Sequence, residues 1–150
     1  YNLRYGEPGA ADDQVELAAE RARLADDVRG FPEGFATIVG ERGITLSGGQ
    51  RQRTALGRAL LVSAPVLVLD DALASVDNNT AAAILESIRA QDGRTIVMIS
   101  HQLSAAAACD RILVMDNGRI VQQGHHNAHR KNAPSQDITQ RVTLFDGHWG

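Results

Sequence analysis

Leu46-Ser47-Gly48-Gly49-Gln50, followed at once by Arg51-Gln52-Arg53, is a small glycine-rich turn that opens a helix. Ser47 offers a hydroxyl, and the two glycines let backbone N–H groups approach an anion with no Cβ in the way. The partly positive helix N-terminus adds to this, so the stretch suits a phosphate. The helix is expected over 49–62, with Leu56, Leu60 and Ala59 toward the core. Pro65 separates it from Val66-Leu67-Val68-Leu69, a continuous apolar run expected of a parallel strand buried on both faces. That run ends in Asp70-Asp71, at the edge where open α/β sheets hold their ligands. A second apolar strand, Thr-Ile-Val-Met-Ile at 95–99, leads into Ser100 and His101. A phosphate turn, a carboxylate-tipped strand and a histidine after the next strand are, in this order, an arrangement for nucleotide hydrolysis.

The rest of the chain fits around these elements. Gly6 to Ala11 form a lead-in, and Asp13 with Glu16 reads as a capping box. Val15, Ala18, Ala22, Ala25 and Val28 recur at helical spacing, which predicts one amphipathic helix over 14–28. Gly30 to Gly34 stop it, and Thr37 to Gly43 are too glycine-rich for a regular element. Asp77 can cap a helix over 78–90 with Ala81, Ile84, Leu85 and Ile88 on one side, ended by Gly93. A short Ala-rich helix is expected over 103–109 and a strand over 111–115. Asn117-Gly118 then signals a type I′ hairpin into 119–122. Strand, helix, strand and a closing hairpin make an α/β class. Apolar periodicity fades from His125 onward, so that segment reads as a weakly structured tail.

Composition bounds the function. The 150 residues fit one domain; hydrophobic content of 43% and charged content of 22% are those of an ordinary globular chain. A net charge of −3 with dispersed arginines gives no reason for a nucleic-acid partner. Cys109 is the sole cysteine, which excludes an internal disulfide; in its Ala-rich setting it reads as a small buried residue. No stretch approaches the roughly 18 apolar residues of a membrane span. The N-terminus lacks an initiating Met and a signal-peptide pattern, and reads as the interior of a longer protein. Lys131 is the sole lysine and follows no G-x-x-x-x-G, so these residues hold no P-loop, which needs a lysine for the β- and γ-phosphates.

Taken alone, Ser47 and its glycines fit a plain serine N-cap, Asp70 a strand-end turn, His101 a polar surface residue and Asp77 a helix cap. With its flanks, the full string resembles the signature motif of the ATP-binding cassette (ABC) ATPases, and the later motifs follow in that family's order. The resemblance implies ATP and Mg²⁺ as cofactors. Leu46, Ser47, Gly48, Gly49 and Gln50 would be the signature, Asp70 the Walker B metal carboxylate, and His101 the H-loop contact to the γ-phosphate. Asp77 would end the D-loop, where Ala74 replaces the family's usual serine. Asp71 departs from the family's usual glutamate, the residue that polarises the attacking water; aspartate is a methylene shorter, which implies slow hydrolysis. Such a residue resembles the weak site of heterodimeric exporters. Thr37 to Gly43 resembles the exporter X-loop, with Glu41 facing transmembrane domains.

The resemblance covers about residues 2–124. It implies a partial P-loop NTPase (RecA-like) core with the ABC α-helical subdomain: residues 1–64 with the X-loop and signature, 65–124 with Walker B, D-loop and H-loop, and 125–150 a divergent tail. In the family, ATP lies between two cassettes, so this chain would supply the signature side to a second cassette. It implies a place on the cytoplasmic face of the membrane, held there by an exporter's transmembrane domains. Loss of the earlier strands implies an unpaired sheet edge. A non-catalytic interaction module is the alternative; a DNA-maintenance ATPase of the same family is disfavoured by the X-loop. His125, His126, His129 and His148 lack the partners that would make them a metal site.

Overall fold

The computed structural model describes residues 2–40, 44–90, 93–100, 102, 105–106, 108–125 and 141–146; for 125 and 141–146 it describes the backbone alone. The chain divides into two compact units, one of residues 1–63 with 72–90, the other of 64–71 with 91–150. The first unit therefore takes in the loop and helix that follow Asp71, as well as the segment around the Ser-Gly-Gly turn.

The first unit is helical. A 3-10 turn at Leu3–Gly6 precedes α1 (Asp12–Arg21), α2 (Ala25–Arg29), a second 3-10 turn at Gly34–Ala36, α3 (Gly48–Leu61) and α4 (Asn78–Arg89). The single helix expected over 14–28 is two. Arg23 sits at φ +53, and the N–H groups of Arg23 and Leu24 return to the carbonyls of Glu20 and Ala19. This is a Schellman end, and Leu24 and Ala19, the residues joined by its longer hydrogen bond, are both buried. The periodicity nevertheless marked the right face, since Val15, Ala18, Ala22, Ala25 and Val28 are all buried. The helix also starts earlier than expected. Ala11 is its N-cap residue, and Gln14 rather than Glu16 reaches back, its Oε1 accepting from the Ala11 N–H at 2.9 Å.

Leu56 and Leu60 of α3 are buried as expected, whereas Ala59 is only half-buried. Gly57 allows α3 to approach α1: a Cβ there would meet Leu3 Cδ2 at 2.8 Å and Ala22 Cβ at 3.7 Å. Arg58 fastens the N-terminal segment to α3, donating to the Asn2 carbonyl at 2.7 Å and to Asn2 Oδ1 at 2.6 Å. Helix α4 buries Ala81, Ile84, Leu85 and Ile88, the face its periodicity predicts.

The second unit is a five-stranded sheet of β1 (Val66–Asp70), β2 (Thr95–Ile99), β3 (Arg111–Asp116), β4 (Arg119–His125) and β5 (Arg141–Asp146), in the order β1-β2-β5-β3-β4. β1 and β2 pair in parallel, with Asp70 opposite Ile99. β3 and β4 form the expected antiparallel hairpin, and its type I′ turn has Asn117 at φ 47 and Gly118 at φ 74. Cys109 is buried, its thiol donating to the Ala105 carbonyl at 3.4 Å.

Two expectations for the sheet are corrected. β1 is covered on one face only: Leu67 and Leu69 are buried, while Val66 and Val68 are 51% and 59% exposed. An apolar run does not distinguish one covered face from two, because alternate side chains leave a strand in opposite directions. β1 lies at the end of the strand order, an edge strand among the described residues. The second correction concerns the tail, where Arg141–Asp146 forms β5 between β2 and β3 and parallel to both. Its Val-Thr-Leu-Phe core has the β-branched and aromatic composition of strands, but its pairing is long-range and leaves no local signature.

Candidate functional site

The N-terminus of α3 is built by its own side chains. Ser47 is extended (φ −63, ψ 166), and its Oγ accepts from the Gln50 N–H at 3.2 Å. Gln50 Oε1 accepts from the Ser47 N–H at 2.9 Å, completing a capping box. The Arg51 N–H reaches the Ser47 carbonyl, which leaves the N–H groups of Gly48 and Gly49 without an acceptor among the described residues. Those two donors, the exposed Ser47 hydroxyl and the end of a 14-residue helix form a concentrated field for an anion.

Further contacts hold this turn in place. Gln50 uses its other side-chain group on α2, donating from Nε2 to Asp27 Oδ1 at 2.9 Å. The second Asp27 oxygen pairs with Arg53 Nη2 at 3.0 Å, and this pair is mostly buried, with 16% and 26% of its side chains exposed. Arg53 also donates to the carbonyls of Gly49 and Arg23. On the other side, Gln52 Oε1 accepts from the Ser75 N–H at 2.7 Å. The backbones are close there: a Cβ at position 49 would lie 2.9 Å from the Ser75 carbonyl oxygen. Leu46 is half-buried, and its carbonyl accepts from Arg51 Nη1 at 2.9 Å. Gln52 and Arg53 entered the sequence reading only as flanks of the turn, and Asp27 and Ser75 were given no role in it. Gln50 and Gln52 lie about 200° apart on a helix, so that one reaches α2 and the other the loop.

Asp77 caps α4, its Oδ1 accepting from the Thr80 N–H at 3.0 Å. The Thr80 N–H, then the Thr80 hydroxyl and the Asn79 N–H, hold this carboxyl below its ordinary value of 3.8. A depressed folded value means that the cap's contribution is present above 3.8 and is lost as pH falls through the folded value. Exchange of the Thr80 amide should therefore rise on acidification below that range. Asp77→Asn should hold the cap and abolish the pH dependence; equal acid sensitivity in the variant would refute the assignment.

In the sheet unit, Asp70 is exposed at the end of β1 and Asp71 follows, half-buried, in the left-handed region at φ +45. The Asp71 N–H donates to the Ile99 carbonyl at 2.9 Å, which extends the β1–β2 pairing one residue past Asp70. Beyond Ile99, Ser100 Oγ accepts from the Gln102 N–H at 3.1 Å. His101 and Glu41 lie outside the described residues. Among the described residues no three His, Cys, Asp or Glu side chains cluster as a metal cage. Mg²⁺ does not require one, since it keeps several waters and commonly takes one or two carboxylates with phosphate oxygens. The helical unit also has a cleft of about 720 Å³, lined among others by Phe31, Phe35, Thr37, Ile38, Val39 and Leu46.

This α/β chain, matched by an ABC transporter family model and by a solved ABC exporter structure, falls in the P-loop NTPase class of folds. The family model described as ABC transporter matches residues 2–74. The multidrug resistance-like ATP-binding protein MdlA of Escherichia coli is 45% identical over 127 residues, covering 84% of this chain and 22% of its own length. The ATM1-type heavy metal exporter of Novosphingobium aromaticivorans is 44% identical over 150 residues, covering 99% and 23%. A solved structure of a bacterial Atm1-family ABC exporter with ATP bound superposes with a TM-score of 0.77 at 44% identity, covering 84% of this chain and 22% of that one. The chain thus spans about a fifth of the length of the curated relatives it matches. It belongs to the ABC transporter family.

Proposed function

We propose that this chain is part of the ATPase cassette of an ABC exporter, and that Ser47 to Gln50 contact ATP held by a second cassette. The observation that carries this reading is the capped N-terminus of α3, with the N–H groups of Gly48 and Gly49 unengaged among the described residues and the Ser47 hydroxyl exposed. In this reading residues 1–64 supply the helical subdomain and 65–124 the later part of the catalytic core. Ser47 and the two glycine N–H groups orient the phosphate oxygens. Gln50 and Leu46 support that turn through Asp27 and Arg51. The Asp70 carboxylate, exposed at the end of β1, would hold hydrated Mg²⁺, which when bound would neutralise charge on the phosphates. Asp71 orients the attacking water, and His101 contacts the terminal phosphate. The cleft at Thr37 to Val39, together with Glu41, faces the transmembrane domains; half-exposed Phe35 and exposed Ile38 offer it apolar contact. No helix among the described residues is long and apolar enough to cross a membrane, and we assign the chain to the cytoplasmic face through those domains.

The test is ATP-dependent association of the purified chain with a complete cassette that carries its own P-loop. Association should require ATP and Mg²⁺, and Ser47→Asp should abolish it. Aspartate is as good an N-cap as serine, so the variant should melt within about 1 °C of the parent while repelling phosphate. Association that ignores ATP would instead identify a non-catalytic docking module.

A further inference from the structure

The brace between α3 and the loop preceding α4 assigns a role to Gln52. Two observations bear on it independently: Gln52 Oε1 accepts from the Ser75 N–H at 2.7 Å, and the Gly49 backbone is packed so closely that a Cβ would stand 2.9 Å from the Ser75 carbonyl oxygen. Ser75 thus presents its N–H to one α3 residue and its carbonyl side to another. Both contacts lie within the helical unit, and both lie within five residues of Ser47, which caps the helix. Ser75 in turn is followed by Val76 and by Asp77, the cap of α4. The turn at Ser47 to Gly49 and the loop over 74–77 are therefore joined at Ser75, with the side-chain oxygen of Gln52 as the polar contact.

We propose that Gln52 is a positioning residue. It does not touch the nucleotide, but fixes the loop at 74–77 relative to Ser47, Gly48 and Gly49, so that both are presented together to the facing cassette. This rests on the function proposed above. The mechanism is a reduction in ordering cost: a loop already held by a hydrogen bond and close packing loses less freedom when a partner docks. Gln52→Met keeps side-chain length and helix propensity but has no oxygen acceptor. Gln52→Glu keeps the acceptor.

Two measurements on the full chain test the proposal. Ser75 amide exchange, followed by NMR, should rise about tenfold in Gln52→Met, the scale of one lost hydrogen bond, and stay protected in Gln52→Glu. ATP-dependent association with a complete cassette should weaken by about the same factor in Gln52→Met and recover in Gln52→Glu. Gln52→Ala should repeat the Gln52→Met result with a smaller side chain. Unchanged Ser75 exchange in Gln52→Met overturns the brace itself. Faster exchange with unchanged association reduces Gln52 to a structural residue and overturns the positioning role. If the parent chain shows no ATP-dependent association, the functional reading fails and takes the positioning role with it, while Ser75 exchange still decides the brace.

Discussion

Gly49→Ala should lower the stability of this chain by about 1–2 kcal/mol, whereas Gly48→Ala should leave it unchanged or raise it by a few tenths. The two glycines are adjacent and both lie in the first turn of α3, so a helix-propensity argument treats them alike. The structure separates them. A Cβ at 48 meets Ser75 Cβ at 3.8 Å, an ordinary contact, but at 49 it meets the Ser75 carbonyl oxygen at 2.9 Å. A backbone atom cannot rotate away as a side-chain end would, so either α3 or the loop at 74–77 must shift, and the Gln52 to Ser75 hydrogen bond strains with it. Overpacking of this kind costs about 1–3 kcal/mol, against at most about 1 kcal/mol gained from exchanging glycine for alanine in a helix. In a chain of this length the net loss corresponds to a fall of roughly 3–6 °C in melting temperature. Matched melting curves for the two variants would refute the close packing. Gly48→Ala, in contrast, should be a folded chain with a methyl beside the N–H groups proposed to meet phosphate, and isolates the effect on ATP-dependent association from any effect on folding.

Much of the fold was legible because it is local. The faces of α3 and α4 follow from Leu56, Leu60, Ala81, Ile84, Leu85 and Ile88 at helical spacing, and all six are buried. Asn117-Gly118 specified its turn, since both residues need positive φ and these two types tolerate it. What was missed depends on tertiary context. The end of α1 at Arg23 has no glycine to announce it; burial of Leu24 offsets the cost of a left-handed arginine. The bare face of β1 and the pairing of β5 both depend on which segments lie next to a strand, and neither leaves a trace in its periodicity.

The site divides in the same way. Ser47 as a helix N-cap was readable from its place ahead of the helix, and the structure adds the Gln50 half of a capping box. Asp77 as a cap was equally local. The braces were not, because Gln50 to Asp27 and Gln52 to Ser75 each join residues 23 apart in sequence. Nor could residue type alone show that Gln50 is occupied on both side-chain atoms by the protein itself, which makes it a support for the turn rather than a spare donor to a ligand.

Asp71→Glu should raise ATP turnover by about 10²-fold in an assembled transporter while slightly destabilising the chain that carries it. The two effects have separate causes. In the function proposed above, glutamate would extend the carboxylate by roughly 1 Å toward the attacking water, and a displacement of that size is worth about 10²-fold in rate, or about 2.7 kcal/mol. Against this stands the backbone, since Asp71 is left-handed at φ +45 and its N–H is committed to the Ile99 carbonyl. Aspartate is several-fold enriched at such positions because its short side chain bonds locally; glutamate lacks that advantage and should lose about 0.5–1 kcal/mol. The catalytic term is the larger, so turnover rises even as the melting temperature falls by about 1–4 °C. Asp71→Asn is the control for the backbone term: it is as tolerant of the left-handed region, carries no charge, and should melt with the parent while losing hydrolysis. Should Asp71→Glu melt lower and turn over no faster, the short carboxylate is not what slows the site, and aspartate stands at 71 for the turn alone.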